Sequence, residues 1–527
     1  MNDALASALR VLPDYLGNHV LLSAAALALG FAISVPLALY ASRNTPVRWS
    51  VLTFVSLVQT IPGLALMALF YPLLLALSLL SKTVFGEGFS AFGFLPALIA
   101  LTLYSMLPIA RNIVTGIASL DPALIEAAQG VGMTSRQRLF RVELPLIAPV
   151  MMAGMRTAAI WVIGTATLAT PVGQTSLGNY IFTGLQTENW IEVLFGCGVS
   201  AALALAVDQL LGLIEEGVAR RSRWRVLTGA LVLLLGVGLA GAAVAGIGGK
   251  SSYVVGAKNF TEQYILASLI SQKLEARGAA VTQRTGLGSA VIFRALAHND
   301  IDVYVDYSGT IWTNYMGRTD HPPRAVMLKE IAHWLRRKYG VTMIGALGFE
   351  NAYCLAMRHD RAAALGIKSI ADLSRYAPQL SIGSDFEFFA RPEWKAIRDG
   401  YHLHFRERRE FESTFLYQAV VTGEVDVISA FTTDGRIVAD KLRVLTDPKA
   451  EIPRYDAIVM ISPKRAKDRE LRKVLTSLIG AISVKLMRHA NFMVDRRESP
   501  VTPRVAARWL DARLKRPSTG VVLKTPH

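Results

Sequence analysis

The chain has 527 residues, 52% of them hydrophobic and 18% charged, with a formal net charge of +16. That length accommodates about three or four domain-sized units, while two cysteines, Cys197 and Cys354, exclude a disulfide framework and a cysteine-built metal centre. The basic excess does not point to nucleic acid, because its densest runs, "LRRK" and "RERRE", sit on helical-looking stretches with acids between them and read as solvated faces.

The averages hide a division. Residues 1–250 carry 14 Lys+Arg against 11 Asp+Glu, a net of +3, which leaves 42 against 29, a net of +13, for residues 251–527. An oily first half followed by ordinary soluble sequence predicts a membrane region over 1–250 and a globular region over 251–527. The first residues, "MNDALASALRVLPDYLGN", lack a basic segment directly followed by an apolar one and do not read as a cleaved signal.

Apolar runs of spanning length, about 20 residues, recur at 18–41, 51–80, 93–113, 146–168, 193–215 and 226–247. They predict an all-α polytopic membrane domain with about six transmembrane helices. In the 51–80 run, "QTIPGLAL" places Pro62 and Gly63 where they should bend or break the helix. Gln59 and Thr60 stand beside that break and become candidates for lining a translocation path.

Orientation follows from the basic loops. Arg43 and Arg48, then Arg136, Arg138 and Arg141, then Arg220, Arg221, Arg223 and Arg225 fall in alternate loops, which the positive-inside rule assigns to the cytoplasm. The N-terminus and residues 251–527 are then both extracytoplasmic, on a protein of the plasma (inner) membrane. Arg156 and Asp208 lie inside spans near their cytoplasmic ends and are read as structural or interfacial.

Residues 114–145 are polar enough to leave the membrane, yet they read as a helix, a glycine turn and a helix. Asp121 suits an N-cap and Pro122 a first helical turn, Gly130 and Gly132 supply the turn, and Pro145 opens the next span. The plain reading is a solvated cytoplasmic hairpin; the sharper one is a docking element for a cytoplasmic partner.

Between the halves stands "GIGGKS", residues 246–251, whose Gly-Lys-Ser ending suggests a phosphate-cradling loop. A Walker A loop needs glycine at position 244, where Val244 stands, and a strand ahead of it, where an apolar run stands. The glycines read instead as a flexible exit from the bilayer.

From residue 252 short apolar strands alternate with helices: "YVVGA", a helix over 261–277, "AVTQRT", a helix over 289–298 and "IDVYVDY". A second set follows, "CLAMR", a helix over 369–375, "LSIGS", a helix over 413–422 and "VDVISAF", and after "YDAIVMI" a long helical tail. This predicts an α/β fold with mostly parallel sheets. Two lobes, joined near 350–356 and 452–458, would close on a ligand.

Ligands of open α/β sheets bind beyond the carboxyl ends of the strands. Those ends deliver Asn259 and Gln263; Tyr307, Ser308 and Thr310; Asp385, Phe388 and Arg391; and Phe431, Thr432 and Asp434. Asn259 and Glu262 have the spacing of a capping box. Aromatic residues at three of the four ends suit a quaternary ammonium, which donates no hydrogen bond and is held on ring faces worth about 0.5–2 kcal/mol each. A carboxylate on the same ligand would want backbone N–H groups, a hydroxyl or an Arg.

On these residues the chain resembles ABC importers of the glycine betaine/choline/osmoprotectant type. "EAAQGVG" with "LP" downstream, which gives Glu126, Ala127, Ala128, Gly132, Leu144 and Pro145, looks like the EAA loop of their permeases. "QTIPGLAL" and "RTAAIWVIGTATLA" look like the betaine/choline branch. "GAKNFTEQYILASLI", "VDYSGTIWTNYM", "SDFEFFARP" and "YQAVVTGEVDVISAFTTDGRI" are similar to the solute-binding proteins of choline, betaine and carnitine importers.

The resemblance implies that the EAA loop is a coupling helix for a cytoplasmic ATPase. It also implies that two copies of this chain enclose one path and that two separate ATPase subunits use the ATP, no cofactor being bound here. The globular region is implied to be a two-lobed periplasmic-binding-protein-like domain of type II. Ligand contact is implied at Tyr307, Tyr417 and Phe431, and also at Asn259, Gln263, Ser308 and the "FEFF" segment. Phe431 stands where Tyr is common and Ser308 where Thr or Asp is, which favours a zwitterion over choline. The implied activity is uptake of a trimethylammonium solute such as glycine betaine, carnitine or choline. Ergothioneine is an alternative within the same machinery. A ligand-sensing receptor without transport is one outside it, and the EAA-like loop argues against that.

Overall fold

Helices that are apolar all round, with no polar face to turn to water, belong in a membrane. The computed structural model describes residues 3–86, 88–187, 189–247, 253–496 and 498–514. Within them six helices are long and apolar enough to cross a bilayer: Ala8–Ser42, Gly63–Phe85, Phe94–Ala118, Ser135–Val172, Trp190–Ala219 and Arg223–Ala245. The chain forms two units, one from residues 6–182 and 192–249, the other from residues 250–527 with 1–5 and 183–191. The expected boundary at 250/251, with Gly248, Gly249 and Lys250, lies outside the described residues.

The 51–80 run is not one helix. Pro62 has no N–H to continue the ladder, so one helix, Thr45–Thr60, stops and another, Gly63–Phe85, begins. The first is 16 residues long, about 24 Å at helical rise, and only the second is among the spanning helices. The break is pinned by the helix Phe94–Ala118. The Tyr104 hydroxyl donates to the Ile61 carbonyl, and Gln59 Nε2 donates to the Tyr104 carbonyl at 3.2 Å. Thr60 Oγ1 donates to Leu57 O at 2.7 Å, and its residue is exposed at the end of its helix.

Arg156 and Asp208 meet. The guanidinium Nε and Nη2 donate to the two Asp208 oxygens at 2.9 Å each, and Nη1 donates to Glu215 Oε2 at 2.9 Å. Gly212 makes room for this pair, since a Cβ there would lie 3.2 Å from Arg156 Cζ. Cys197 and Cys354 are both free thiols.

Among the described residues the second unit contains ten strands: β1 (Tyr253–Lys258), β2 (Val281–Leu287), β3 (Val303–Tyr307), β4 (Thr342–Glu350), β5 (Tyr353–Arg358), β6 (Ser381–Ser384), β7 (Glu407–Glu410), β8 (Val427–Phe431), β9 (Leu442–Val444) and β10 (Asp456–Ile461). They build two five-stranded sheets, ordered β2-β1-β3-β10-β4 and β7-β6-β8-β5-β9. The chain passes from the first lobe to the second at 351–352 and returns over 445–455.

The expectation of mostly parallel sheets needs correction. The trios β2-β1-β3 and β7-β6-β8 are parallel, but β10 runs antiparallel to β3 and β4, and β5 runs antiparallel to β8 and β9. The reason is the crossing. A strand that arrives from the other lobe enters its sheet where the parallel strands finish, so it must run against them. β3 and β10 are buried along their whole length, as sheets covered on both faces require.

The expected helical tail consists, among the described residues, of the helices Arg469–Thr476, Val484–Asp495 and Pro503–Asp511. They fold back on the first helix of the lobe, Thr261–Glu275. Thr261 Oγ1 donates to Asp495 Oδ1 at 2.7 Å, Gln272 Nε2 to Arg504 O at 2.9 Å, and Arg504 pairs with Glu275 at 2.7 Å.

Candidate functional site

Both lobes bring the carboxyl end of a parallel strand to the start of a crossing strand. Tyr307, at the end of β3, faces Ala457 near the start of β10; Phe431, at the end of β8, faces Tyr353, the first residue of β5. A continuous group of rings forms there. Phe260, just after β1, lies 6.1 Å from Tyr307 and 5.4 Å from Phe431, centroid to centroid; Tyr353 lies 4.6 Å from Phe431 and 5.1 Å from Phe388. Tyr307, Phe388 and Phe431 were expected from the strand ends. Phe260 and Tyr353 were not, and Tyr353 escaped because an antiparallel strand places its beginning, not its end, at the cleft.

Arg391 joins this group. It is 8% exposed, its guanidinium lies 5.1 Å from the Tyr353 ring centre, and Nη2 donates to Glu387 Oε2 at 2.7 Å. Its Nε and Nη1 are buried without a hydrogen-bond partner. Asp385 supports the same segment. Its Oδ1 accepts from the Glu387 and Phe388 amides at 2.9 Å each, which fixes the turn carrying Phe388, and burial pushes its pKa up.

Behind Tyr307 lies a buried polar hub. The Tyr307 hydroxyl donates to Glu262 Oε1 at 2.6 Å and accepts from Gln263 Nε2 at 3.1 Å. Glu262 also accepts from Asn351 Nδ2 at 3.1 Å, from Asn491 Nδ2 at 3.2 Å and from the Thr433 hydroxyl. The expected Asn259–Glu262 capping box is therefore absent. The helix starts at Thr261 with Phe260 as N-cap and no side-chain cap bond, so Glu262 sits in the first turn and faces inward. Burial raises its pKa, and its four donors push the other way. Burial, reinforced by that charge, lifts the Tyr307 phenol well above its ordinary value. Nearby, Lys258 forms a buried ion pair with Asp306, its Nζ 5.6 Å from the Tyr307 ring centre.

The remaining expected contacts lie elsewhere. Asn259 is exposed. Ser308 is fully buried, donating to Arg454 O and accepting from Asp456 N at 2.9 Å each, so its hydroxyl ties β3 to the returning crossing segment. Thr432 does the same for the outgoing one, accepting from Ala352 N at 3.1 Å. Thr310 is buried in the short turn after β3. Tyr417 packs with Cys354, Ala356 and Ile428, on the face of β5 opposite Tyr353, because alternate residues of a strand point opposite ways. Its ring lies under the Arg436 guanidinium at 4.0 Å, and Arg436 is paired with Asp434 at 2.9 Å. Tyr417 and Asp434 thus lie apart from the ring group, against the core of the second lobe.

The membrane unit carries the second candidate site. The helix Pro122–Gly130 is capped by Asp121, whose side chain accepts from Ala123 N at 2.9 Å. Gly132 follows at φ 78°, a left-handed conformation that favours glycine. Thr134 and Gln137 then form a capping box that starts the next helical segment. Glu126 and Ala127 are exposed and Ala128 is buried, while Leu144 and Pro145 open the helix Leu144–Ala166. Glu143 anchors the base by pairing with Arg43 at 3.0 Å and Arg138 at 2.7 Å. The hairpin exposes Leu124, Val131 and Phe140, with Val131 75% exposed.

Two family profiles cover almost the whole chain. Residues 30–220 match the inner membrane component of binding-protein-dependent transport systems, and residues 251–512 match the substrate-binding domain of an ABC-type glycine betaine transport system. The glycine betaine/carnitine/choline transport system permease protein of Bacillus subtilis is 38% identical over 202 residues, covering 38% of this chain and 86% of that protein. The chain belongs to the ABC-importer permeases of this type, fused to its substrate-binding domain. A glycine-betaine-binding protein of Pseudomonas aeruginosa is 30% identical over 293 residues, covering 53% of this chain and 94% of that protein. The ergothioneine transport permease/ergothioneine binding protein of Helicobacter pylori is 29% identical over 478 residues, covering 88% of this chain and 83% of that protein. These relatives are transport and binding proteins, not enzymes, and the importer family implies ATPase partners for this fused permease.

Proposed function

We propose that this chain is the permease-and-receptor subunit of an importer for a trimethylammonium carboxylate. The observation that carries the substrate class is Arg391, a buried guanidinium beside the ring group of Tyr353, Phe388 and Phe431, whose Nε and Nη1 make no hydrogen bond, the Glu393 carboxylate lying 3.9 Å from Nη1. Rings take the quaternary head, and a guanidinium takes a carboxylate through paired hydrogen bonds. Choline carries the head without the carboxylate and would leave Nε and Nη1 without a hydrogen bond.

In this reading residues 251–527 capture the solute outside, and the permease, residues 1–250, works as a pair of copies around one path. The N-terminus is extracytoplasmic, and Gln59 and Thr60 lie beside the path at the Pro62 break. The hairpin with Glu126, Ala127, Ala128, Gly132, Leu144 and Pro145 docks on one of two cytoplasmic ATPase subunits, which use the ATP while this chain binds no cofactor. Support for the docking comes from the apolar side chains the hairpin exposes.

Ergothioneine, itself a trimethylammonium carboxylate, is the second reading. Its support is the Helicobacter pylori relative, which spans both halves of this chain. The test is a thermal-shift panel on the full-length chain with glycine betaine, carnitine, ergothioneine, choline and amino acids. A shift with one or more trimethylammonium carboxylates and a smaller one with choline is expected; a response to choline alone overturns the reading.

A further inference from the structure

The hydrogen-bond accounting around Glu262 describes a charged group. All four of its partners donate to it: Tyr307, Asn351, Asn491 and Thr433. The Gln263 amide, which donates to Tyr307, and the Asn351 amide, which donates to Glu262, are each oriented by a second bond. Gln263 Oε1 accepts from Lys258 N at 3.3 Å, and Asn351 Oδ1 accepts from Thr433 N at 3.2 Å. Asn491 Nδ2 also donates to Thr433 O at 2.8 Å, so turning that amide over would set oxygen against oxygen. A carboxylic acid could give its proton only to the Tyr307 or Thr433 hydroxyl, which would then have to turn its own proton away, whereas a carboxylate accepts from all four.

That charge is 2% exposed; burial acts most strongly and works against it, and the neutral donors work for it. Lys258, the cation close to Tyr307, is committed to Asp306. Buried charge is costly unless something compensates it. Tyr307 links Glu262 to the ring group, since its phenol hydrogen-bonds the carboxylate and its ring lies beside Phe260.

We propose that Glu262 is the electrostatic counter-charge of the site, a positioning residue that acts through the Tyr307 phenol to select a cationic head over a neutral one of the same shape. It does not touch the ligand. Its negative charge lowers the potential at the ring group, and its hydrogen bond makes the Tyr307 ring more electron-rich, so the rings favour a quaternary nitrogen over a quaternary carbon. The same bonds tie Tyr307 to the outgoing crossing segment through Asn351 and to the second lobe through Thr433, which keeps the ring in position. The inference rests on the proposed substrate class.

Calorimetry on the full-length chain in detergent tests it with glycine betaine and tert-butylacetate, its isostere with carbon in place of the charged nitrogen. The wild type is expected to prefer betaine, and Glu262→Gln to cut that preference about tenfold, with the isostere's own affinity little changed. Tyr307→Phe, which keeps the ring and removes the linking hydroxyl, is expected to cut it in the same direction and decides the matter if Glu262→Gln does not fold. An unchanged preference in Tyr307→Phe, or equal loss of both ligands in Glu262→Gln, overturns the counter-charge and leaves the substrate class standing. Failure of the wild type to bind any trimethylammonium carboxylate overturns both.

Discussion

Phe260 stacks on Phe431 with ring centroids 5.4 Å apart and planes 15° from parallel, and the two rings come from different lobes. Such a pair contributes about 0.5–1.5 kcal/mol beyond its burial, so the approach of the lobes and the ring faces offered to a ligand depend on the same side chains. Replacing either by Ala is expected to weaken trimethylammonium binding about tenfold or more, while Phe431→Tyr, which keeps the ring, retains affinity. Isothermal calorimetry on the full-length chain reads the change. Wild-type affinity in both alanine variants would remove the cage.

Arg391 should separate zwitterions from plain cations. Arg391→Gln removes the charge and the two nitrogens, Nε and Nη1, that make no hydrogen bond, so betaine affinity is expected to fall about tenfold or more, as loss of a charge-assisted contact predicts. Choline affinity should hold or rise, since a buried positive charge beside the rings is gone. The ratio of the two affinities is the measurement; a parallel fall for both ligands would mean that Arg391 only supports the fold.

Much of this was legible in the residues, and the failures have a common cause. Six apolar runs, the Pro62 break and the Asp121–Pro122 helix start depend on local sequence, and each appears as read, apart from the division of the 51–80 run. Reading strand ends found Tyr307, Phe388, Phe431 and Arg391. The misses depend on partners distant in sequence. Tyr353 reaches the cleft because β5 is antiparallel, and Glu262 turns inward because Asn351, Thr433 and Asn491 converge on it. Ser308 and Thr432 hold crossing segments whose positions no local pattern reveals. Tyr417 follows a family pattern, yet the alternation of β5 sets it on the opposite face of the sheet from Tyr353.

Gly132 tests the hairpin by conformation alone. A Cβ there meets nothing within 4 Å, so the left-handed φ of 78° is the whole constraint. Left-handed geometry costs a side chain about 1–2 kcal/mol, more for a β-branched one, and Gly132→Val should misalign Val131 against Glu126 and Phe140. Solute uptake in cells is expected to fall further in Gly132→Val than in Gly132→Ala, with ligand binding by the purified chain preserved in both. Undiminished transport in the valine variant would refute the coupling role.

The Arg156–Asp208–Glu215 cluster should behave as a structural clamp between the helices Leu144–Ala166 and Trp190–Ala219. Removing one partner leaves a charge in a poorly solvated place, which costs about 3–5 kcal/mol for fully buried pairs and less here, because Arg156 keeps 34% of its side chain exposed. Asp208→Asn is therefore expected to lower the unfolding temperature of the detergent-solubilised chain while Glu215 still holds Nη1. Replacing the whole cluster, as in Arg156→Met with Asp208→Leu and Glu215→Gln, should recover part of the loss, because none of its three charges then remains to be compensated. Ligand binding should be unaffected in either variant. If the triple replacement is instead less stable than Asp208→Asn and also abolishes uptake, the guanidinium is acting on the transported solute and not as a clamp.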